Sequence, residues 1–113
     1  MPSLSLRIDL DSGARIGPGK IALLKAIDET GSISAAGRSL GMSYRRAWQL
    51  IEELNGCFRS PVVAAQIGGK SGGGATLTKL GKNVVAHYVA IDGMTRRRAT
   101  RHLKALQAAS RAR

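Results

Sequence analysis

The segment at residues 32–55, SISAAGRSLGMSYRRAWQLIEELN, constrains the fold of this chain more than any other. Small residues fill the middle of a short first helix, which we expect to run from an N-cap at Ser34 through Leu40. Gly41 then permits the left-handed backbone conformation that a tight turn between two helices requires. The segment therefore predicts two helices joined by a sharp bend, which is a helix-turn-helix.

The second helix of this motif, expected over about 44–55 with Ser43 as its cap, has an apolar side and a polar side. At about 100° per residue, four apolar side chains form one stripe that faces the core: Ala47, Leu50, Ile51 and Leu54. Arg45 and Gln49 point almost directly away from that stripe. Three more side chains flank this outer pair: Tyr44 and Trp48 on one side and Arg46 on the other.

An outward pair of arginine and glutamine one helical turn apart suits the exposed edges of DNA bases. Arginine can bond guanine through two donors, and glutamine can bond adenine in the same bidentate way. We expect Arg45, Trp48 and Gln49 to read bases, and Tyr44 and Arg46 to hold phosphates or flank the site. The helix-start serines complete the predicted DNA-binding set on this motif: Ser34 and Ser43. The alternative is an ordinary solvated helix surface, and the short Ala/Gly-rich helix before the turn favours DNA.

The charge of the chain points the same way. Its 113 residues carry 18 Lys and Arg against 7 Asp and Glu, a formal charge of +11, and 43% hydrophobic residues suffice for one compact domain. The excess lies in residues 61–113, because residues 1–60 are nearly balanced. Such a chain favours a polyanionic partner, since Lys and Arg release counterions from phosphates. Charge alone does not separate DNA from RNA or an anionic membrane.

Two elements are expected before the helix-turn-helix. Alternation of apolar and polar residues over Leu4–Leu10 predicts a half-buried edge strand. Gly17-Pro18-Gly19 then breaks the chain, and apolar residues at helical spacing predict a helix over about 18–30 that ends at Gly31.

A β-hairpin is expected after the helix-turn-helix. Residues 62–67 read as one strand and 75–77 as its partner, joined by the glycine-rich run GGKSGGG at 68–74. A hairpin in this place is a wing, whose glycines bring backbone N–H groups close to phosphates or to a minor groove. Three wing residues therefore join the predicted DNA-binding set: Lys70, Ser71 and Gly72. The alternative is a disordered surface hairpin.

The residues do not predict an enzyme. Gly69-Lys70-Ser71 resembles the end of a nucleotide-binding loop, but that pattern needs glycine where Ala64 stands and a helix directly after the loop. Acidic residues are few, and both histidines fall late in the chain, far apart. We expect no catalytic residues, no metal site and no cofactor.

The C-terminal part, from a predicted N-cap at Thr78, reads as one long helix or as two with Gly93 as the weak point. Its apolar residues recur every three or four positions: Leu80, Val84, Tyr88, Ile91, Met94, Leu103 and Leu106. We expect a homodimer through this helix, the alternative being that it packs on its own domain. The last twenty residues form a basic tail, without any acid. No apolar run is long enough to span a membrane, so a soluble, cytoplasmic protein without a membrane partner is expected.

Three stretches of the sequence resemble a known family: GSISAA at 31–36 with LGMSY at 40–44, SYRRAW at 43–48, and GGKSGGGATLT at 68–78. The first is similar to the winged helix-turn-helix that LysR-type regulators share with the ModE family of molybdate-dependent transcriptional regulators. The other two resemble ModE more closely, because LysR-type proteins usually carry a Gln-Pro pair at the start of this helix.

The resemblance implies a mainly α fold with a small β-hairpin, a winged helix-turn-helix with a long C-terminal dimerisation helix. Residues 1–77 would form the DNA-binding domain, and 78–113 the dimerisation helix and basic tail of the same structural unit. It further implies a bacterial homodimer that places one recognition helix per subunit on an inverted repeat of double-stranded DNA. ModE proteins sense molybdate through C-terminal domains, which we do not expect in this chain, so the protein would either work without an effector or respond to molybdate only through a separate partner. The alternative function is an architectural or protein-interaction module with little sequence preference.

Overall fold

The computed structural model describes residues 2–66 and 74–112. These residues form four helices and two short antiparallel hairpins. In chain order the elements are β1 (Ile8–Asp9), β2 (Arg15–Ile16), α1 (Pro18–Thr30), α2 (Ile33–Ser39), α3 (Tyr44–Cys57), β3 (Val63–Gln66), β4 (Gly74–Leu77) and α4 (Lys79–Ala109). The chain is mainly helical, as predicted, and this order is compatible with a small winged helix.

Helix α1 lies at the centre of the domain and has the bounds predicted from the sequence. Pro18 occupies its first turn, and Gly31 ends it at a φ of 68°, a left-handed conformation that glycine adopts without strain. The N–H of Gly31 donates to the carbonyl of Ile27 and closes the last turn. Five of its side chains are buried against α2, α3, α4 and the second hairpin: Ile21, Leu23, Leu24, Ala26 and Ile27.

Helix α2 begins at Ile33, two residues earlier than an N-cap at Ser34 predicts, and Ser34 is not its N-cap. Ser32 has the extended backbone of a cap, and its Oγ accepts a hydrogen bond of 3.1 Å from the N–H of Ala35. Ser34 already lies inside the helix and is exposed. The prediction was wrong because both serines can cap, and the choice depends on where Gly31 ends α1.

The turn between α2 and α3 follows the prediction closely. Gly41 has a φ of 69°, and the N–H of Met42 donates to the Gly37 carbonyl at 2.8 Å. Ser43 caps α3, because its Oγ accepts from the N–H of Arg46 at 3.1 Å. A Cβ at Gly37 would lie only 3.3 Å from the Cβ of Ala47, so the absence of a side chain there lets the two helices approach closely.

The N-terminal strand is shorter than expected. Only Ile8 and Asp9 pair, opposite Ile16 and Arg15. Half-burial of Leu4, Leu6 and Ile8 confirms the alternation, but Leu10 is exposed because the chain turns there toward Gly13. The hairpin that results was not predicted, since its second strand has only two residues. The Asp11-Ser12-Gly13 run, with Gly13 at a φ of 95°, was the available signal for that turn.

The second hairpin is anchored to the helices on both sides. Its strands are in register from Val63 opposite Leu77 to Gln66 opposite Gly74. The N–H of Ala75 donates to the carbonyl of Gly31 at 2.9 Å, which ties β4 to the end of α1. The predicted strands at 62–67 and 75–77 agree with β3 and β4 to within one residue at each strand end that the structure describes. The predicted wing residues Lys70, Ser71 and Gly72 lie outside the described residues.

Helix α4 is one continuous helix of 31 residues, and Gly93 does not interrupt it. Thr78 caps it as predicted, its Oγ1 accepting from the N–H of Gly81 at 3.0 Å. Only Gly81 and Tyr88 are buried along its length. The Tyr88 hydroxyl donates to the Leu6 carbonyl at 2.7 Å, which holds the N-terminal segment against the helix. Within 2–66 and 74–112, no helix combines the length and apolarity needed to cross a membrane.

Candidate nucleic-acid interface

The outer face of α3 is open to solvent. The predicted core stripe of Ala47, Leu50, Ile51 and Leu54 is buried, as expected. Arg45 and Gln49, on the opposite side of the same helix, are exposed, and so is Arg46 on the flank. A rigid helix thus presents an arginine and a glutamine one turn apart on its exposed side.

The aromatic flank of α3 has two different members. Tyr44 is 57% exposed, whereas Trp48 is half-buried and packs against the hydrophobic core. Their ring centroids are 6.2 Å apart at an interplanar angle of 75°, an edge-to-face contact. Trp48 therefore packs against Tyr44 and leaves only part of its own ring available to a ligand.

Charge on α3 is divided along its length. Arg45 and Arg46 occupy the first turn, and neither forms an ion pair within the part of the chain that the structure describes. Glu52 and Glu53 occupy the second half, where Glu53 pairs with Lys20 at 3.4 Å. Because carboxylates repel phosphates, the first two turns of α3 are the part suited to approach a nucleic acid.

The remaining predicted site residues are placed as follows. Ser43 acts as the cap of α3, and its hydroxyl is engaged with the N–H of Arg46. Ser34 is exposed on α2. The structure thus brings Ser43, Tyr44, Arg45, Arg46, Trp48 and Gln49 together on one end of α3, next to the turn from α2.

Asn55 supports this interface, and no sequence signal pointed to it. Its side-chain Oδ1 accepts from the N–H of Val62 at 2.8 Å and from the N–H of Val63 at 3.2 Å. These bonds connect the end of α3 to the start of β3, and so fix the hairpin relative to the helix. A lone asparagine beside a core stripe does not reveal a partner that is seven or eight residues away.

Within residues 2–66 and 74–112, no three His, Cys, Asp or Glu side chains are grouped so that they could hold a metal ion. Burial raises the pKa of the Tyr88 hydroxyl above its usual value of 10.0, and the carboxylate of Asp92 acts in the same direction. Tyr88 lies in the domain interior rather than at the α3 surface, so this pKa shift concerns stability.

The fold and the surface of α3 define the class of this protein. It is a small helical domain whose third helix has an exposed, basic first turn. Similar proteins carry more specific names. The chain is 51% identical over 81 residues to the molybdenum-pterin-binding protein MopB of Rhodobacter capsulatus, a match that covers 72% of this chain and 30% of that protein. It is 37% identical over 87 residues to the molybdenum transport protein ModE of Azotobacter vinelandii, covering 77% and 32%.

A third relative is the DNA-binding transcriptional dual regulator ModE of Escherichia coli K12, 42% identical over 71 residues, with 63% of this chain and 27% of that protein covered. No protein-family model matches the chain. The resemblance to the ModE family is confirmed, and the matched segment is a ModE-type sequence. The chain spans about a third of the length of the curated relatives that it matches. The more distant likeness to LysR-type regulators stays a prediction.

Proposed function

We propose that this chain is a winged helix-turn-helix that binds specific DNA sequences and belongs to a molybdate-related regulator of transcription. The observation that carries the proposal is the pairing of exposed Arg45 and Gln49 with a fully buried stripe on the other side of α3. That arrangement holds two base-reading side chains on a helix whose orientation the core fixes.

The relatives support this proposal through their names. One of them is called a DNA-binding transcriptional regulator, and others are called molybdenum-pterin-binding or molybdenum transport proteins. The segment that these proteins share with this chain is the one in which we propose the DNA-reading helix. We assign recognition of double-stranded DNA to that shared segment.

We further propose that the protein is a homodimer that binds an inverted repeat. Beyond Tyr88, no residue of α4 is buried as far as the end of the helix at Ala109, although Val89, Ile91, Met94 and Leu106 are large apolar side chains. A helix that carries these side chains past its own domain is suited to pack against its twin. Two copies related by a twofold axis would present two α3 helices to two half-sites.

Selection from a random duplex library, performed with and without molybdate, tests the proposed function. We expect enrichment of a palindromic sequence, because a dimer with two reading helices selects two inverted half-sites. Binding without enrichment of any sequence would instead identify an architectural module, the alternative function. A difference between the two selections would show that molybdate acts on this chain itself rather than through a separate partner.

A further inference from the structure

A cavity of about 330 Å³ lies beside α3, between the first hairpin and the start of α1. Its walls carry four basic side chains from three elements: Arg7, Arg15, Lys20 and Arg46. Met42 and Leu50 form its apolar floor. The cavity is about ten times the volume that one water molecule occupies in the liquid, so it has room for an anion with several oxygens.

The four cations are only partly neutralised. Arg7 pairs with Asp9 at 3.1 Å, and Arg15 lies 3.9 Å from the same carboxylate. Lys20 pairs with Glu53 at 3.4 Å and also donates to the Arg15 carbonyl at 2.9 Å. Arg46 has no ion-pair partner in the described ranges. Two carboxylates outside the lining therefore face four cations, and the cavity keeps an excess of positive charge.

Two of these side chains can turn toward a ligand at little cost. Arg7 and Arg15 are 60% and 70% exposed. Their bonds to Asp9 are surface ion pairs, which contribute little to stability. An arginine in such a pair can exchange a carboxylate for a phosphate, whose oxygens match the same planar set of donors.

The cavity lies next to the face of α3 that carries Arg45 and Gln49. Arg46 directly follows Arg45 on α3 and lies about 100° further round the helix axis. Leu50 follows Gln49 in the same way, so the cavity opens along the flank of the helix beside the two base-reading side chains. A DNA strand bordering the groove that α3 enters would pass this flank.

We propose that this cavity binds a phosphate-type oxyanion, and that in the DNA complex the anion is a backbone phosphate next to the bases read by α3. This proposal rests on the proposed function, because a backbone phosphate can be the bound anion only if the chain binds DNA. It adds Arg7, Arg15 and Lys20 to the interface, and these lie outside the helix-turn-helix. The shared chemistry is a tetrahedral oxyanion, whether from a phosphodiester or free in solution.

The first experiment measures the salt dependence of duplex binding. The double variant Arg7→Gln/Arg15→Gln removes two cavity charges, and Lys25→Gln/Arg59→Gln removes two exposed charges that do not line the cavity. For the cavity pair we expect the slope of log Kobs against log salt to fall in magnitude by about 1 for one lost phosphate contact. The control pair should keep the wild-type slope. Equal slopes in the two pairs would overturn the proposal.

The second experiment distinguishes a backbone phosphate from free phosphate as the bound anion. It also distinguishes failure of the cavity site from failure of the proposed DNA-binding function. Inorganic phosphate is titrated into the wild type and the cavity pair at constant ionic strength, and arginine side-chain NMR signals are followed. We expect saturable shifts of the Arg15 and Arg46 signals in the wild type, together with enrichment of a palindrome by the wild type and by the control pair. If the wild type selects no DNA sequence, the proposed function fails, and saturable phosphate shifts then support a free oxyanion as the ligand. Absence of these shifts together with an unchanged salt slope refutes the cavity site.

Discussion

Arg45 and Arg46 are neighbours in the sequence, yet the helix points their side chains in different directions. Arg45 points away from the core stripe, and Arg46 lies on the cavity flank. A side chain that bonds base edges contributes to discrimination, whereas one that bonds phosphates contributes to affinity for every sequence. Replacing Arg45 is therefore expected to change the base preference, whereas replacing Arg46 is expected to lower the affinity for every sequence.

Replacing Arg45 tests this distinction. We expect Arg45→Ala to cost about 1–3 kcal/mol of binding free energy and to relax the preference at one base pair per half-site, because a bidentate contact to guanine is lost. Competition binding with duplexes that differ at single positions measures both effects. Lys25→Ala, at an exposed position on α1, is the control. A uniform loss over all sequences would make Arg45 a backbone contact instead.

The fold shifts the protonation of Tyr88. Its folded pKa is raised above 10.0, mainly because burial disfavours the charged phenolate. Its contribution to stability is therefore complete below about pH 10, the unfolded pKa, and is lost as the pH rises from there through the folded pKa. We expect Tyr88→Phe to remove this part of the pH dependence.

The measurement is urea unfolding of wild type and Tyr88→Phe across the alkaline range. At pH 8 the variant should be less stable by about 1 kcal/mol, because the hydrogen bond to the Leu6 carbonyl is lost. The difference should shrink above pH 10. A constant difference across the range would show that the hydroxyl titrates as it does in the unfolded chain.

Helix α4 and the segment that leads into the second hairpin approach each other very closely. A Cβ on Gly81 would overlap the backbone carbonyl oxygen of Val62. The same place holds the hydrogen bond from the N–H of Thr78 to that carbonyl at 3.0 Å and the bond from the Thr78 hydroxyl to the Pro61 carbonyl at 2.7 Å. Backbone cannot move aside as a flexible side chain can, so this crossing requires glycine.

We expect Gly81→Ala to destabilise the protein by about 3 kcal/mol, the upper part of the usual range for overpacking. Gly56→Ala is the matched control, because Gly56 lies in α3 with open space where its Cβ would be. That variant should gain about 0.5–1 kcal/mol, since alanine loses less conformational freedom in a helix than glycine does. Chemical unfolding of both variants measures the contrast, and equal effects would contradict the close approach.

The whole molecule is elongated, with extents of 56 × 32 × 20 Å. The 31 residues of α4 account for much of that length, because a helix of this size measures about 46 Å. Residues Ala99 and Leu103 continue the line of Tyr88 at helical spacing, and both are half-buried, whereas Leu106 is 70% exposed. The first half of α4 packs on the domain, and the apolar face of the helix extends beyond that contact.

The proposed dimer is tested on this overhanging part of α4. We expect Leu106→Glu to weaken self-association at least tenfold, because a carboxylate would be buried in the interface. Gln107→Glu makes the same change of charge one residue further along the helix and should leave association unchanged. Sedimentation equilibrium measures both. A wild type that stays monomeric at high concentration would refute the dimer.

Local signals determined the helices of this protein. The bounds of α1, the turn at Gly41, the cap at Ser43 and the buried stripe of α3 all follow from residue spacing and from glycine and serine at helix ends. Those interactions join residues within about four positions of each other, so the sequence pattern alone contains them. The exposed positions of Arg45 and Gln49 are of this kind.

Other features were decided by tertiary structure. The two-residue pairing of the first hairpin and the bonds from Asn55 to Val62 and Val63 join residues that lie farther apart in the sequence than one helical turn. The basic cavity is the strongest case, because Arg7, Arg15 and Arg46 are brought together only when the first hairpin packs beside α3. Sequence periodicity reports which face of an element is buried, and packing alone decides which faces of different elements meet.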